Sequence, residues 1–346
     1  MIYIGLDVHA KQSYFCVMDQ AGQCLAHRSM PTTSEAFKDL IKRYRTMGEV
    51  KTALEAANIS WWIANVLTEA GADVHLVNVY QLKLIAHSKK KTDRHDSKIL
   101  ADLLRCDALP PRVYVPTEET FRLRRLLSLR KSFVRLKAQA IVRAKSFMRQ
   151  QGETVGGRDF CSIGSWNRIA EENPELDFYL SPLQKLYQCG EEQVRNLEGQ
   201  TQEIITDEDP TLQLLETIPG IGLYTGRIIL AAVGDIGRFS RSDRLVSYAG
   251  FNPSERSSGE VEQRGAISKQ GRSELREALV QGAWAVLRSS RPETALLKKF
   301  FYRIMHKRCS QVAITALARK LLVIAYQVMK SGKPFDTSLY LEKKAA

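Results

Sequence analysis

The sequence predicts an α/β domain built on a mixed β-sheet, followed by a mostly α-helical C-terminal domain. Three observations support this prediction. Strand and helix signals alternate over the first hundred residues, a long basic helix follows, and helical patterns dominate from residue 207 onwards. The length of 346 residues also suggests two domains or more, at roughly 150 residues per domain.

The elements of the first part are predicted in the order β-β-β-α-β-α-β-α. Apolar, β-rich runs predict strands at 2–8, 12–18, 23–29, 50–56 and 73–79. Helical patterns lie at 35–47, 60–70 and 93–105, and Thr33 or Ser34 can cap the first helix. Three antiparallel strands followed by parallel strands with crossover helices make a mixed sheet, in which the first and fourth strands are natural neighbours.

The charge of the chain is strongly positive and is concentrated in one segment. There are 51 Lys and Arg residues against 38 Asp and Glu, a net charge of +13, which predicts a polyanionic partner such as nucleic acid or an anionic membrane. Residues 121–150 contain no acidic residue and ten basic ones: Arg122, Arg124, Arg125, Arg130, Lys131, Arg135, Lys137, Arg143, Lys145 and Arg149.

Apolar pairs recur every seventh residue through the same segment, which predicts one long helix with an apolar seam and a cationic outer face. An ordinary solvated face is the alternative, although solubility alone normally mixes both signs of charge. We therefore interpret the outer face as a contact for the phosphate backbone of DNA or RNA. The narrow seam suits helix packing, so a membrane role is disfavoured.

Composition also narrows the cellular setting. The six cysteines are scattered without a CxxC pair, which predicts reduced thiols in a cytoplasmic protein and disfavours a zinc site. The sequence opens without a basic-then-apolar leader and has no run of about 18 uncharged apolar residues. We expect neither secretion nor a membrane span.

Four carboxylates are the candidate catalytic residues. Asp7 lies within an apolar strand, Glu55 ends the fourth strand, and Asp93 and Asp96 start a helix three residues apart. If that helix packs across the two strands, the four carboxylates converge and need a hard cation such as Mg²⁺. Two Mg²⁺ ions, or Mn²⁺ in their place, could flank a scissile phosphate. An acid at a helix start is often only a cap, so Asp93 and Asp96 alone would be ambiguous. A basic run beside them could hold the substrate backbone: Lys89, Lys90 and Lys91.

The second half divides into an arm and a C-terminal domain. Residues 152–177 are polar and irregular, and a weaker heptad pattern over 183–204 predicts a helical arm, in which Gly190 and Thr201 are poor seam residues. An acidic segment ending at Pro210 predicts a boundary. The predicted domains are 1–115 (catalytic), 116–151 (the basic helix, completing the first domain), 152–206 (the arm) and 207–346 (C-terminal).

A glycine-rich turn opens the C-terminal domain. Gly220 and Gly222, in the string Ile-Pro-Gly-Ile-Gly-Leu-Tyr-Thr-Gly, permit a tight hairpin with positive φ whose backbone N–H groups face outward at a helix start. This resembles a helix-hairpin-helix, which grips nucleic-acid phosphates without reading sequence. Plain tight turns can carry the same string.

The strings GLDVHAK, LEA and KTDRHDS, which carry the four carboxylates, resemble the DEDD transposases of the insertion-sequence one-ten family, which includes the Piv-type DNA invertases. The element order resembles the ribonuclease H-like fold of Holliday-junction resolvases. Two positions depart from the family pattern: the sequence after Glu55-Ala56 lacks the usual Thr-Gly and aromatic residue, and Ser97 replaces the commoner Ala. Neither change affects a proposed ligand.

The resemblance implies a mechanism for the second half. In the family's C-terminal domain, a serine in the loop after AGxxP attacks the DNA, and by spacing from Pro253 we expect Ser258, or failing that Ser257, to be this nucleophile. Without the resemblance, Ser-Ser-Gly would read as a plain loop. Four basic residues around the loop could hold the phosphate: Arg256, Arg264, Lys269 and Arg272.

The family also implies partners. Donor and target DNA must be held together, which implies a multimer, with a tetramer expected and the heptad arm as a candidate contact. A structured guide RNA is expected to choose donor and target. The alternative functions are a hydrolytic junction resolvase or nuclease without a covalent step, a sugar kinase or actin-like ATPase, and a DNA-binding protein without catalysis.

Overall fold

The computed structural model describes residues 1–85, 93–255 and 264–337, which form two compact units. The first unit is Met1–Thr117 and the second begins at Glu118. The β-strands of the large sheet all belong to the first unit, and the second unit is mostly helical.

The first unit is a mixed, five-stranded sheet with helices on both faces. Its elements are β1 (Ile2–Asp7), β2 (Gln12–Met18), β3 (Cys24–Pro31), α1 (Ser34–Arg45), β4 (Val50–Glu55), α2 (Ser60–Glu69), β5 (Asp73–Val77), α3 (Val79–Ile85) and α4 (Asp93–Arg105). The strand order is β3-β2-β1-β4-β5, in which β1 pairs antiparallel with β2 and parallel with β4. The predicted mixed sheet, with its first and fourth strands as neighbours, is confirmed.

The two faces of the sheet follow from the alternation of side chains along each strand. On one face, apolar residues of β1 and β4 such as Ile4 and Leu54 are fully buried in a core with α1 and α2. On the other face, Tyr3 and Ala53 form a smaller core with Leu100 and Leu104 of α4. The helix α4 therefore covers one face of the sheet.

The sequence analysis did not predict helix α3, because the fifth strand was expected to continue to residue 79. In the structure the strand ends at Val77, and the side-chain oxygen of Asn78 accepts a hydrogen bond from the backbone N–H of Tyr80 at 2.9 Å. This Asn78 interaction favours a helix start over continued strand.

The second unit contains α5 (Glu118–Gln150), α6 (Ile163–Glu172), α7 (Asp177–Ile204), α8 (Pro210–Glu216), α9 (Leu223–Val233), α10 (Ser242–Tyr248), α11 (Ser273–Arg288), α12 (Ala295–Lys307) and α13 (Ser310–Ser331), with a short hairpin of β6 (Pro253–Glu255) and β7 (Arg264–Ile267). Helix α6 lies in the segment predicted to be irregular. The polar sequence of this segment does not indicate a helix, but the side chains of Ser162 and Ser165 form a capping box at its start.

The basic helix α5 was predicted to complete the first domain, whereas in the structure it belongs to the second unit. Its buried residues include Leu123 and Leu127, which join the core of the C-terminal helices, and Ala140, Ala144 and Met148, which pack with α6 and α7. The apolar seam predicted from the sequence is thus occupied, but by partners that are distant along the chain.

The arm α7 pairs with α5 along the predicted heptad seam. The seam residues Tyr187, Gly190, Val194 and Thr201 are buried. A Cβ atom at Gly190 would lie 2.6 Å from Cγ of Lys137, so glycine is what lets the two helices approach closely. The poor seam residue of the sequence is therefore a packing requirement. The seam of this predicted arm is therefore filled by α5 of the same chain, and a subunit contact through the rest of the arm stays a prediction.

Helix α13 is the centre of the C-terminal core. Leu317, Leu321 and Ala325 have no exposed surface, and α13 packs mainly against α10, α11 and α12. Among the described residues, α13 alone is long and apolar enough to cross a membrane by length and composition, and 56% of its most apolar stretch is buried in the protein. A single helix of this kind is weak evidence for a span, since core helices pass the same test.

Candidate active site and nucleic-acid interface

Asp7 and Glu55 lie at the carboxyl ends of two adjacent parallel strands. The register pairs Leu6 of β1 with Leu54 of β4, so the next residues, Asp7 and Glu55, come at the same level and point to the same face of the sheet. Both side chains are partly buried. The end of β4 is held by Ser60, whose hydroxyl donates to the Glu55 carbonyl oxygen at 2.6 Å.

Helix α4 approaches the same face of the sheet at unusually close range, and Gly5 makes this possible. A Cβ atom at Gly5 would lie 2.1 Å from the carbonyl oxygen of Ser97 and 2.4 Å from the backbone nitrogen of Ala101. Since Leu104 packs near Tyr3 while Ser97 lies over Gly5, the helix runs antiparallel to β1. Its N-terminal end therefore lies at the carboxyl end of β1, where Asp7 is.

The two remaining carboxylates are at that end of the helix. Asp93 is the first residue of α4, one turn before Ser97, and its side chain lies outside the described part of the structure. Asp96 is partly buried in the first turn. The fold thus brings all four predicted positions to one edge of the sheet. Among the side chains that the structure describes, no group of three or more His, Cys, Asp and Glu is arranged to hold a metal ion.

Two histidines near the carboxylates were not assigned a role by any sequence pattern. Nε2 of His9 lies 3.3 Å from Oδ2 of Asp7, and the His9 side chain is half exposed. Nε2 of His27, on β3, lies 3.3 Å from the hydroxyl of Ser97, which is fully buried. The sequence could have indicated the contact between His9 and Asp7, because these residues are only two positions apart. It could not have indicated the contact between His27 and Ser97, which are 70 positions apart.

Four of the ten basic side chains of α5 form ion pairs within the second unit. Arg130 donates to Glu198 of α7 at 2.8 and 2.6 Å, and Lys137 pairs with Glu191 of the same helix. On another side of α5, Lys131 forms an ion pair of 2.5 Å with Glu277 of α11. Arg135 lies 3.7 Å from the same carboxylate. These pairs connect α5 to two neighbouring helices.

Two further basic residues of α5 are held by backbone carbonyls. Arg124 donates to the carbonyl oxygens of Ala231 and Ala232, at the C-terminal end of α9, where a positive charge is favourable. Lys145 donates to Gly156 at 2.9 Å and to Gly157 at 2.7 Å. The four remaining basic residues of this helix are exposed to solvent: Arg122, Arg125, Arg143 and Arg149.

A cavity of about 370 Å³ lies between α5, α9 and α11. Its lining includes Lys131, Glu277 and Thr225, and Tyr224 carries the Arg130 guanidinium 3.8 Å above its ring. The cavity therefore contains both signs of charge beside the start of α9.

The glycine-rich turn joins α8 to α9, so a helix–turn–helix order is present. Gly220 has φ of 85°, as predicted, and a Cβ atom there would lie 2.3 Å from the carbonyl oxygen of Gly282. Gly222 has φ of −109° and caps α9 in an extended conformation, so the prediction of positive φ is wrong for this residue. Gly220 is thus required by the turn and by packing on α11, whereas Gly222 is exposed.

The candidate nucleophiles, Ser258 and Ser257, lie outside the described residues, as do Arg256 and the run Lys89, Lys90 and Lys91. Arg264 starts β7, but its side chain is not among those described. Lys269 is exposed in the turn that follows this strand, with φ of 54°.

Arg272 lies at the base of the same hairpin and contacts a tyrosine that the sequence analysis did not single out. Its Nε donates to the hydroxyl of Tyr248 at 3.1 Å, and the guanidinium of Arg238 stacks 4.4 Å from the centre of the Tyr248 ring. Burial raises the pKa of Tyr248, but the positive charges of Arg272, Arg124 and Arg238 outweigh it, so that this pKa is lowered. The base of the β6–β7 hairpin is therefore electropositive.

Two transposase family models match the chain in succession. The model of the DEDD transposase domain of the IS110 type matches residues 4–152. The model described as the transposase IS116/IS110/IS902 family matches residues 212–299. The first match contains all four carboxylates and the second contains the glycine-rich turn and the Ser257-Ser258 loop. The chain belongs to the IS116/IS110/IS902 family of transposases.

Similar proteins include transposases that align over most of their length. The chain is 25% identical to the transposase for insertion sequence element IS1111A of Coxiella burnetii, over 94% of this chain and 89% of that protein. It is 26% identical to the transposase for element IS1328 of Yersinia enterocolitica, over 82% and 85% of the two chains. The pilin gene-inverting protein of Moraxella bovis is 37% identical over 37% of this chain, and the match spans 39% of that protein.

Proposed function

We propose that the protein is a DNA transposase that cuts and rejoins DNA strands at the ends of an insertion sequence. The observation that carries the proposal is the placement of Asp7 and Glu55 side by side at the carboxyl ends of β1 and β4, under the end of α4 that bears Asp93 and Asp96. The family match and the transposases among the similar proteins support the same activity.

The chemistry of the four predicted carboxylates suits a magnesium ion. Asp7, Glu55, Asp93 and Asp96 would hold it through carboxylate oxygens, which are the ligands that Mg²⁺ prefers. When bound, Mg²⁺ or Mn²⁺ would supply positive charge to the scissile phosphate, with two ions expected per site. The start of α4 adds the positive end of a helix dipole, which stabilises nearby carboxylates. Lys89, Lys90 and Lys91, which precede Asp93 in the sequence, would hold the DNA backbone.

In the proposed reaction, the Ser258 hydroxyl attacks a backbone phosphorus and loses its proton. The bond from phosphorus to the 3′ oxygen breaks, and this oxygen leaves as a free 3′ hydroxyl, so that the 5′ phosphate becomes esterified to the serine. Arg256, Arg264, Lys269 and Arg272 would offset the charge on the phosphate under attack. Reversal of the step on a second strand rejoins the DNA without an outside energy source.

The test is the pair of variants Ser258→Ala and Ser257→Ala, assayed with a labelled DNA end of the element. We expect Ser258→Ala to abolish both strand cleavage and the covalent protein–DNA adduct, and Ser257→Ala to retain them. Loss in Ser257→Ala alone would assign the nucleophile to Ser257. Retained cleavage without an adduct in both variants would refute the covalent mechanism and favour a hydrolytic nuclease or junction resolvase.

Strand exchange between two DNA sites requires more than one catalytic centre, so we propose a homo-oligomer, with a tetramer expected. We also propose a guide RNA as the partner that selects donor and target, with the protein acting in the cytoplasm on chromosomal DNA. RNA that copurifies with the expressed chain would be sequenced. Recovery of one defined species would support the guide, and only random cellular fragments would contradict it.

A further inference from the structure

The ten basic residues of α5 fall into two groups that the sequence cannot separate. Six are engaged within the second unit: Arg130, Lys131, Arg135 and Lys137 by carboxylates, and Arg124 and Lys145 by carbonyl oxygens. A cation whose charge is offset by a neighbouring carboxylate contributes less to a phosphate contact, because the carboxylate repels the phosphate. The six engaged cations therefore serve mainly to hold α5 against α7, α9, α11 and the backbone at residues 156–157.

The second group is exposed and lies towards the two ends of the helix. Arg122 and Arg125 are near its start, Arg143 and Arg149 near its end, and all four side chains are exposed. Arg122, Arg125 and Arg143 share one heptad stripe, since 122, 125, 129, 132, 136, 139 and 143 recur at intervals of three and four. Arg149 lies beside the end of that stripe.

The distance between the two pairs is set by the rise of the helix. Arg122 and Arg143 are separated by 21 residues, which corresponds to ~32 Å at ~1.5 Å per residue. Arg125 and Arg149 are separated by 24 residues, or ~36 Å. One turn of a DNA duplex spans ~34–36 Å, so both pairs can meet phosphates where the backbone returns to the same side.

The residues between the two arginine pairs suit close contact with a polyanion. No acidic residue interrupts the stretch, and the exposed positions include Ser128, Ser132, Gln139 and Ser146, which are short or neutral. Leu129 and Val142 are exposed apolar residues on this side, at 48% and 66%. A continuous apolar seam, as a second protein chain would need, is not present along these described positions.

We propose that the exposed face of α5 binds one turn of double-stranded DNA through its phosphate backbone, with Arg122 and Arg125 at one end of the contact and Arg143 and Arg149 at the other. The inference rests on the proposed function, because it specifies how the transposase holds its nucleic acid. It assigns the contact to four of the ten cations and removes the six paired ones from it.

The test measures binding of the full chain to a 30-base-pair duplex without divalent metal, so cleavage does not enter. In the main variant Arg122, Arg125, Arg143 and Arg149 are replaced by Gln. The control variant removes the same number of charges from exposed positions near the end of another helix, α12: Lys299→Gln, Arg303→Gln, Lys307→Gln and Arg308→Gln. Circular dichroism and thermal melting establish that both variants are folded.

We expect the slope of log affinity against log salt to become shallower by about 3.6 in the main variant, from ~0.9 per lost phosphate contact. When the salt concentration is raised from 50 to 200 mM, the affinity of both proteins falls. The fold-decrease for the main variant should be roughly 150 times smaller than the fold-decrease for the unmodified chain. The control should change the slope by less than ~1. The half variants Arg122→Gln/Arg125→Gln and Arg143→Gln/Arg149→Gln should each account for about half of the effect.

Duplex DNA, duplex RNA and single strands of the same sequence separate the possible ligands. A loss for duplex DNA that exceeds the losses for duplex RNA and for single strands supports the proposal, whereas a loss for duplex RNA alone would assign the face to RNA and overturn it. An equal loss for single strands, an equal effect of the control, or a changed oligomeric state with unchanged binding would overturn it. Because these slopes are measured without divalent metal and do not depend on cleavage, a failure of this inference is distinguishable from a failure of the proposed strand-cleavage function.

Discussion

Adding one methyl group at Gly5 should displace the helix that carries two of the four proposed catalytic carboxylates. In Gly5→Ala the new Cβ atom would lie 2.1 Å from the Ser97 carbonyl oxygen, whereas ordinary contact begins at 3.4 Å. The obstacle is backbone rather than a flexible side chain, so α4 must retreat by about 1.3 Å, the difference between these two distances. Asp93 and Asp96 would move with it, away from Asp7.

Two measurable effects follow from this displacement. Overpacking of a buried contact typically costs about 1–3 kcal/mol of unfolding free energy, partly offset by ~0.5–1 kcal/mol from the stiffer unfolded chain. A misplacement of ~1 Å in a catalytic constellation can lower the rate by ~100-fold. We therefore expect strand cleavage to fall far more than the fraction of folded protein does.

The assay compares urea unfolding and cleavage of a labelled DNA end for the unmodified chain and the variant. The matched control is Gly199→Ala in α7, where a Cβ atom would meet nothing within 4 Å. Alanine in an exposed helix should stabilise that unit by ~0.5–1 kcal/mol and leave cleavage unchanged. Unchanged stability and cleavage in Gly5→Ala would refute the close approach of α4 to β1 and its role in the site.

Two further predictions concern titratable groups. The hydrogen bond from Lys137 lowers the pKa of the Glu191 carboxyl. The ion pair between Lys137 and Glu191 therefore stabilises the folded state fully above the ordinary carboxyl pKa of ~4.3, and this contribution is lost as the pH falls through the lowered pKa. Glu191→Gln should therefore cost up to about 1 kcal/mol in urea unfolding at pH 7 and progressively less as the pH is lowered below ~4.3; a cost that does not change with pH would contradict the assignment. Burial, and then the nearby Cys24, raise the pKa of Cys16 to about 12. At pH 7.5, peptide mapping should find iodoacetamide on the exposed Cys24 well before Cys16, and equal labelling would refute the burial of Cys16.

Much of the first unit could be predicted from local patterns. The bounds of β2 and α4 coincide with the predicted ones, because alternating apolar residues and helix periodicity are strong over these segments. The adjacency of Asp7 and Glu55 follows from element order alone, since two parallel strands joined by a crossover are natural neighbours. The coarse geometry of the candidate site was therefore accessible from the sequence.

What the sequence could not show depends on contacts between distant residues. A run of ten cations indicates a charged face, but the pairing of Arg130 with Glu198 and of Lys131 with Glu277 arises only when α7 and α11 fold against α5. The role of Gly190 was misjudged for the same reason: a heptad pattern penalises glycine, whereas a close helix crossing requires it.

The position of α5 has a consequence for how the protein can be divided. The first family match ends at residue 152, just after the helix, whereas the compact unit ends at Thr117, just before it. A fragment cut at the family boundary would carry α5 without α7, and would expose Leu127, Ala140 and Met148 to water. Expression fragments, domain swaps between relatives and fusion points are therefore better placed near residue 117, which keeps the helix with the side chains that cover it.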